Sequence, residues 1–494
     1  MPKSPAQRVV PHLALLTALL LGYFGITSHW LNKPFIGHHD WDNVLYALTA
    51  RNYLRYGYLE YGAIQFYNLF PVESEAELSV YRSNPPTLAI LQSLSVRAFG
   101  FHEMFIRLTT VFLSLISIAV FYQLARHLMS RRAALLAAFF FAFSMQVIYF
   151  ARTPNFESGN VVLANAFLLA FVRWRRLGSP RRWGLAAGLA FAGLWYGHFM
   201  AFVLVALFGW ALLRSTRREM LAIFGLGCAG LLGLATWMTY NTEFFDAQVI
   251  DELVDLWTYR TSDSRIERAD TFTLVDYLRV NGFRLIYSTS PFVLLLAAWG
   301  VYRQSRGPRR AEVAIPWVLV VAGLLYTSLF RNATYLHDYF LYYFVPPLAL
   351  WAGHGFTQVW PHPGWLPRNR PQRFAGAGLM GHFFLVLGVI YILVYRLNNE
   401  SFLWLAENIA EQTAQTEQVA SNLPYLGPNV SYYAYRNLTY EQPYTANDLE
   451  RLLLQEGFAL FWLCDAPTPP DLPPTLTVQA VGPCYAIRAA PSPP

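Results

Sequence analysis

The sequence predicts a mostly α-helical, polytopic membrane protein of about 11 transmembrane helices. It also predicts interfacial helices in the first outer loop and a small C-terminal soluble α/β domain. Three observations carry this. Only 14% of the 494 residues are charged, against 55% hydrophobic, where soluble domains carry roughly 25% charged residues. Apolar stretches close to the ~20 residues that span a bilayer recur along the chain. Between them the basic residues, almost all arginine, gather in knots: Arg126/Arg131/Arg132, Arg173/Arg175/Arg176/Arg181/Arg182, Arg214/Arg217/Arg218, Arg303/Arg306/Arg309/Arg310 and Arg368/Arg370/Arg373. Short loops rich in Lys and Arg mark the cytoplasmic side, so the net charge of +7 is topological and nucleic acid is not an expected partner.

Taken in order, the expected spans are 12–30, 104–125, 133–150, 158–173, 183–197, 199–213, 220–240, 284–302, 313–330, 339–359 and 375–395. The run Leu13–Trp30 follows Lys3 and Arg8 and reads as a signal anchor. With the N-terminus inside, every arginine knot is cytoplasmic, and segments 31–103, 151–157, 241–283, 331–338 and 396–494 lie outside. The pair 183–213, joined at Tyr196-Gly197-His198, reads as two short spans or a re-entrant loop. Apolar residues at Val44, Leu45, Leu48, Tyr53 and Leu54 predict an interfacial helix over 42–56. Thr87–Phe99, after Pro85-Pro86, is a second, and Phe244–Trp257, with Asp246, Asp251, Glu252 and Asp255 on its polar side, a third. The expected domains are 1–395 in the membrane, 396–485 as a small α/β domain and 486–494 as a disordered Pro-rich tail. In the α/β domain, Asn447–Gln455 reads as a helix, and Phe458–Cys464 and Leu476–Val481 as strands. Cys228 lies in an apolar stretch and packs, whereas Cys464 and Cys484 fall outside, where a disulfide persists if geometry allows.

The first outer loop opens with Gly37-His38-His39-Asp40-Trp41-Asp42-Asn43. A carboxylate at a membrane surface can serve as general base on an acceptor hydroxyl or amine; equally, Asp40 or Asp42 can cap a helix beginning near Asn43. His39 and Asp40 are the residues expected to hold a divalent cation, if one is used. Arg152 and Glu157 flank a tight turn between spans, where an arginine either recognises a phosphate or snorkels to headgroups. Arg331, Tyr335, His337, Asp338 and Tyr339 form a second polar-aromatic cluster, suited to a phosphate or to an interfacial belt with Asp338 as N-cap. His198 reads as a packed ring. Asn160 and Asn165 are expected to bond across helices.

The segment Asp42-Asn43-Val44-Leu45-Tyr46-Ala47-Leu48-Thr49-Ala50-Arg51 resembles the first-loop signature of bacterial GT-C glycosyltransferases of the protein mannosyltransferase/aminoarabinose transferase-like superfamily. Asp42, Tyr46 and Ala50-Arg51 match, and Asn43 stands where Glu is usual. Pro85-Pro86-Thr87, Phe99-Gly100, Glu103 and Arg107-Leu108 follow the next block, Tyr149-Phe150-Ala151-Arg152 the third, and His337-Asp338-Tyr339-Phe340-Leu341 a later helix entry. The resemblance covers roughly residues 10–360. It implies a polyprenyl-phosphate-linked sugar donor and an extracytoplasmic acceptor at the bacterial inner membrane. Asp42 would be the base in an inverting transfer, with Asp40 in reserve. Arg152, Arg331, His337 and Tyr339 would hold the donor phosphate. Tyr46, Arg51 and Glu157 would line the rest of the site, and no metal is required, though a divalent cation stays open; the His38-His39 pair, outside the matched segment, orients the acceptor, binds a metal or merely anchors the loop. The alternatives from other classes are a polytopic transporter or lipid-linked glycan flippase, and an envelope assembly protein. The charges lie mainly in loops and no internal repeat is visible, unlike the usual transporter.

Overall fold

The computed structural model describes residues 5–69, 80, 85–153, 156–245, 248–262, 271–306, 314–361, 369–423, 427–443, 445–464 and 471–491. In chain order the helices are α1 Pro5–Ser28, α2 Asp40–Tyr56, α3 Thr87–Phe99, α4 Glu103–Leu128, α5 Arg131–Ala142, α6 Met145–Arg152, α7 Phe156–Leu177, α8 Pro180–Tyr196, α9 Phe199–Arg214 and α10 Arg217–Phe245. They continue with α11 Gln248–Thr261, α12 Leu274–Thr289, α13 Pro291–Ser305, α14 Ala314–Leu329, α15 Arg331–Leu336, α16 Val345–Val359, α17 Arg370–Tyr395 and α18 Ser401–Gln412. The C-terminal part adds β1 Gln418–Ser421, α19 Gly427–Ala434, β2 Asn437–Tyr440, α20 Ala446–Glu450, β3 Leu460–Cys464, β4 Leu476–Val481 and β5 Cys484–Ala489.

The chain divides into two compact units. One comprises Met1–Asn32, Arg82–Leu91 and Met104–Ile392; the other comprises Lys33–Tyr81, Gln92–Glu103 and Leu393–Pro494. The first outer loop thus folds with the C-terminal domain, a partition that the linear domain reading does not contain.

Among its described residues the apolar unit is almost entirely helical. Among the described residues, four helices are long and apolar enough to cross a bilayer: α4, α7, Arg217–Tyr240 of α10, and α17. Counting the bent pairs α5–α6 and α12–α13 as single spans makes six, so helix length does not reproduce eleven spans. The segment 133–150 breaks by 53° at Phe143-Ser144, where the Ser144 hydroxyl caps α6 by accepting from the Val147 N–H. The segment 284–302 is not one continuous helix: α12 and α13 meet at 93° at Ser290, with Pro291 forcing the stop. The segment 339–359 begins as a 3-10 turn over Asp338–Phe344, because Pro346-Pro347 set the start of α16. Small residues bring α13 and α16 close, and a Cβ on Gly300 would lie 2.1 Å from the Trp351 carbonyl oxygen. The described arginines of the knots fall at consecutive helix ends, and some are tied together, while Arg309, Arg310 and Arg368 lie outside the described residues. Arg175 Nε meets Glu219 at 2.8 Å, and Arg173 Nε lies 3.1 Å from His127 Nε2.

The second unit holds α2 and a five-stranded sheet of order β2-β1-β3-β5-β4. Strands β1, β2 and β3 run parallel, and β5 is antiparallel to both β3 and β4. One core packs Leu405, Ile409, Val419, Val430, Leu460 and Trp462 together. Cys464 faces Cys484 in the β3–β5 register and the two form a disulfide, Cα–Cα 4.1 Å. Strand β5 runs to Ala489 with Ile487 fully buried, so the segment 486–494 is not all tail. Sequence patterning shows β3 and β4, but β1 and β2 are only four residues each. Helix α2 does not leave its apolar face open: Asn43–Ala50, Asn52 and Tyr53 are buried within the protein. Its polar residues tolerate this because Asn52 Nδ2 donates to the carbonyls of Phe66 (3.0 Å) and Asn68 (2.9 Å). Helix α3 does expose Leu91, Leu94 and Phe99. Of the third expected interfacial helix, Gln248–Thr261 is seen, while Asp246 lies outside the described residues.

Candidate active site

In the second unit the segment before α2 forms a tight corner. The Asp40 N–H donates to the Gly37 carbonyl at 3.0 Å, and the Gly37 N–H donates back to Asp40 Oδ2 at 2.7 Å. Asn43 Nδ2 donates to the other oxygen, Asp40 Oδ1. A Cβ on Gly37 would sit 3.0 Å from Asp40 Oδ2, so the corner is shaped around glycine. His39 takes φ 62°, a left-handed conformation uncommon outside glycine. The helix starts at Asp40 and its N-cap is His39, without a side-chain capping bond. Neither aspartate is the N-cap, which corrects that expectation. Asp40 is fully buried with both oxygens engaged inside the corner, whereas Asp42 is half-buried in the first turn of α2, where the helix N-terminus favours an anion. Asn43, the departure from the usual Glu, is thereby explained as a neutral partner for Asp40.

His38 and His39 are half-buried with ring centroids 3.8 Å apart. Tyr46, one turn on from Asp42, is buried. Arg51 is not brought to this group: nine residues of helix rotate it about 180° from Asp42. Its Nη2 reaches the Asn68 carbonyl at 3.4 Å, and the guanidinium lies 5.1 Å from the Tyr435 ring centre.

In the apolar unit, Arg152 ends α6, is buried, and stands 5.4 Å from the Tyr149 ring centre. The neighbouring Phe150 meets Tyr339 edge-on at 6.0 Å, and Tyr339 stacks on His337 at 4.9 Å. Thus α6 and the His337–Tyr339 turn share one neighbourhood. Arg331 is exposed at the start of α15. Arg284 of α12, which sequence reasoning passed over, donates to the carbonyls of Thr334 (3.0 Å), Tyr335 (2.8 Å) and Leu336 (3.2 Å). Those are the orphan carbonyls of a helix end, for which a cation is a favoured partner. Asp338 is buried and accepts from Tyr287 Oη at 3.1 Å rather than capping a helix. Gln146 Nε2 donates to its carbonyl at 3.1 Å. Glu157 is fully buried, in electrostatic range of Tyr196, Tyr326 and Tyr343. Asn160 Nδ2 bonds Tyr343 Oη at 3.2 Å, the cross-helix bond expected of it. Arg107 is likewise structural, its Nη1 donating to the Leu31 carbonyl at 3.0 Å.

A cavity of about 300 Å³ opens within the same unit, lined by Leu194, Phe202, Trp237, Trp257, Phe330 and, as its cation, Arg260. His198 also faces it, at the turn between α8 and α9. Burial, and then the Arg260 charge, push this imidazole down to about 4, which keeps it neutral at physiological pH. An apolar hollow with one guanidinium suits a lipid that carries an anionic head. Arg260 sits in the last turn of amphipathic α11 and was not singled out by sequence, where a basic residue at a helix end is unremarkable.

The family model described as dolichyl-phosphate-mannose-protein mannosyltransferase matches residues 83–240. A comparison with curated protein sequences finds no match. Among solved structures, ArnT from Cupriavidus metallidurans in the apo state aligns over 99% of this chain and 100% of its own, with TM-score 0.64 and 12% identity. The same protein bound to undecaprenyl phosphate aligns with TM-score 0.62 at 12% identity, over the same 99% and 100%. The archaeal oligosaccharyltransferase AglB from Archaeoglobus fulgidus, in complex with an inhibitory peptide and a dolichol-phosphate, aligns over 93% of this chain and 70% of its own, with TM-score 0.59 and 14% identity. Identities this low speak for the fold. The chain has the fold of these GT-C membrane proteins, and its residues 83–240 match the mannosyltransferase family model.

Proposed function

We propose that this protein is a membrane glycosyltransferase that moves a sugar from a polyprenyl-phosphate-linked donor to an extracytoplasmic acceptor. The observation that carries the reading is the alignment of nearly the whole chain with ArnT, including its undecaprenyl phosphate complex. Asp42 is the general base. Its half-buried carboxylate takes the proton from the acceptor O–H or N–H as the acceptor attacks the sugar C1. The bond from C1 to the phosphate oxygen breaks, the polyprenyl phosphate leaves with the electron pair, and a single displacement inverts C1. Asp40 shapes the corner instead, because its oxygens are already used by Gly37 and Asn43.

Guanidinium groups meet the charge of the departing phosphate. Arg152 and the His337–Tyr339 turn are one candidate position, and Arg260 in the apolar cavity is a second. The topology in this reading keeps the expected sides: N-terminus and arginine knots cytoplasmic, and α2 and the C-terminal sheet outside the bacterial inner membrane. No step is assigned to a metal.

The test is turnover by purified protein in nanodiscs, given undecaprenyl-phosphate-linked hexoses and pentoses and read as released undecaprenyl phosphate. Wild type releases it and Asp42→Asn does not; full turnover by Asp42→Asn ends the reading of Asp42 as the base. EDTA leaves the rate within about twofold on this reading, and loss that added Mg²⁺ or Mn²⁺ restores would put a metal into the mechanism.

A further inference from the structure

The segment leading into the corner is held by side chains of the C-terminal domain. The Phe35 N–H donates to Tyr433 Oη at 2.6 Å, and Asn429 Nδ2 donates to the Phe35 carbonyl at 2.5 Å. One residue on, the Ile36 carbonyl accepts from the Asn399 N–H at 2.8 Å. The Tyr433 hydroxyl itself donates to Glu103 Oε1 at 3.2 Å. The Phe35 ring is fully buried and meets Tyr432 edge-on at 5.6 Å.

The mount is rigid. Asn429, Tyr432 and Tyr433 lie on α19, whose Val430 and Ala434 are buried in the sheet core with Leu460 and Trp462. Just after α19, Arg436 ties the helix end down by donating to the carbonyls of Ala410 (3.1 Å) and Thr413 (2.5 Å). Water satisfies an exposed peptide group equally well, but two side chains on one anchored helix fix the peptide's place as well as its hydrogen bonds. From Phe35 the chain has one residue before the Gly37–Asp40 corner begins, so little slack separates the clamp from α2.

We propose that Tyr433 and Asn429 are positioning residues. They clamp the Phe35-Ile36 backbone from the C-terminal domain and thereby set where Asp42 stands. The proposal rests on the reading of Asp42 as the base, and two readouts keep the two ideas separable.

The first readout needs no substrate. In hydrogen–deuterium exchange of the full chain in nanodiscs, Tyr433→Phe and Asn429→Ala speed exchange across 33–43 by about tenfold, while β3 and β5 exchange as in wild type. Tyr433→Phe removes one oxygen and leaves the ring, so it serves if Asn429→Ala disturbs the domain. Tyr440→Phe, at the exposed edge strand β2, is the matched control and changes neither readout. The second readout is turnover of whichever undecaprenyl-phosphate-linked sugar wild type uses. Both variants lower kcat by about tenfold with donor KM within about twofold, as a misplaced base requires. Wild-type exchange in both variants overturns the clamp, and faster exchange with unchanged kcat overturns the positioning role. If no donor is turned over the glycosyltransferase reading fails, and if Asp42→Asn keeps full activity the reading of Asp42 as the base fails. In either case the positioning role falls too, while exchange still decides the clamp.

Discussion

Two polar corners of this molecule use similar parts and are held in different ways. The His337–Tyr339 turn follows a helix whose last carbonyls are taken by Arg284, 50 to 52 positions away, within the same helical unit. The Phe35–Asp42 corner is held by Asn429 and Tyr433, 394 and 398 positions away, on a helix anchored in a β-sheet domain. The first depends on helix neighbours that any polytopic bundle provides. The second depends on a whole separate fold staying together. A domain that looks like an appendage in sequence thus has a structural reason to affect the outer loop.

The largest break of this comparison is at the carboxylates. Asp42→Asn is expected to lower kcat by about 10²–10⁴-fold, the range of a general base. Asp40→Asn keeps one acceptor oxygen for the Gly37 N–H and is expected to lose only about tenfold, through displacement rather than chemistry. Measured kcat in the reverse order would exchange their roles.

Next is the disulfide. Cys464 and Cys484 close a loop of sequence separation 20 between β3 and β5. On the chain-entropy account, Cys464→Ser with Cys484→Ser costs the sheet domain about 3 kcal/mol. Denaturant unfolding of the full chain, followed by exchange in β3 and β5, measures it. If the outer corner leans on this domain, exchange across 33–43 rises in the same variant, and exchange around Arg284 stays as it was.

Much of this was legible in the sequence, and what was not has physical reasons. Apolar blocks and arginine knots reveal helices because a bilayer leaves the backbone few alternatives. They do not reveal where a span breaks, since the bends at Ser144 and Ser290 turn on one hydroxyl or one proline. The residues Asp42, Tyr46 and Arg51 recur together in a pattern, yet a 3.6-residue period puts Arg51 on the opposite side of α2 from Asp42. Arg152, His337 and Tyr339 do share a neighbourhood, through Phe150. Arg284, Arg260, Asn429 and Tyr433 were missed because each acts across tens or hundreds of positions. A lone arginine or asparagine carries no signal of such a partner.

The helical corner offers a smaller effect. Arg284→Ala leaves the Thr334, Tyr335 and Leu336 carbonyls without their cation, a loss of about 1–3 kcal/mol. The expected kinetic signature is a raised donor KM with kcat little changed, the opposite split from Tyr433→Phe. Steady-state kinetics on both variants decides whether the two corners divide donor binding from base placement. A kcat-only loss in Arg284→Ala would merge them.

The smallest expected effect isolates the corner from everything that holds it. In Gly37→Ala the new Cβ meets Asp40 Oδ2 at 3.0 Å and Asn398 Oδ1 at 3.3 Å. Both neighbours are polar side-chain atoms that can give by a few tenths of an ångström, so the fold survives and stability changes by about 1 kcal/mol or less. The carboxylate that gives way is the one that defines the corner, and a shift there passes directly into the first turn of α2. The expected result is a severalfold lower kcat at unchanged donor KM. Gly22→Ala, where the added Cβ meets nothing within 4 Å, is the control that a general helix or membrane effect would move equally. Equal kinetics for the two variants would mean that Asp42 finds its place without the corner, and the hydrogen bonds of Asp40 would then be structural alone.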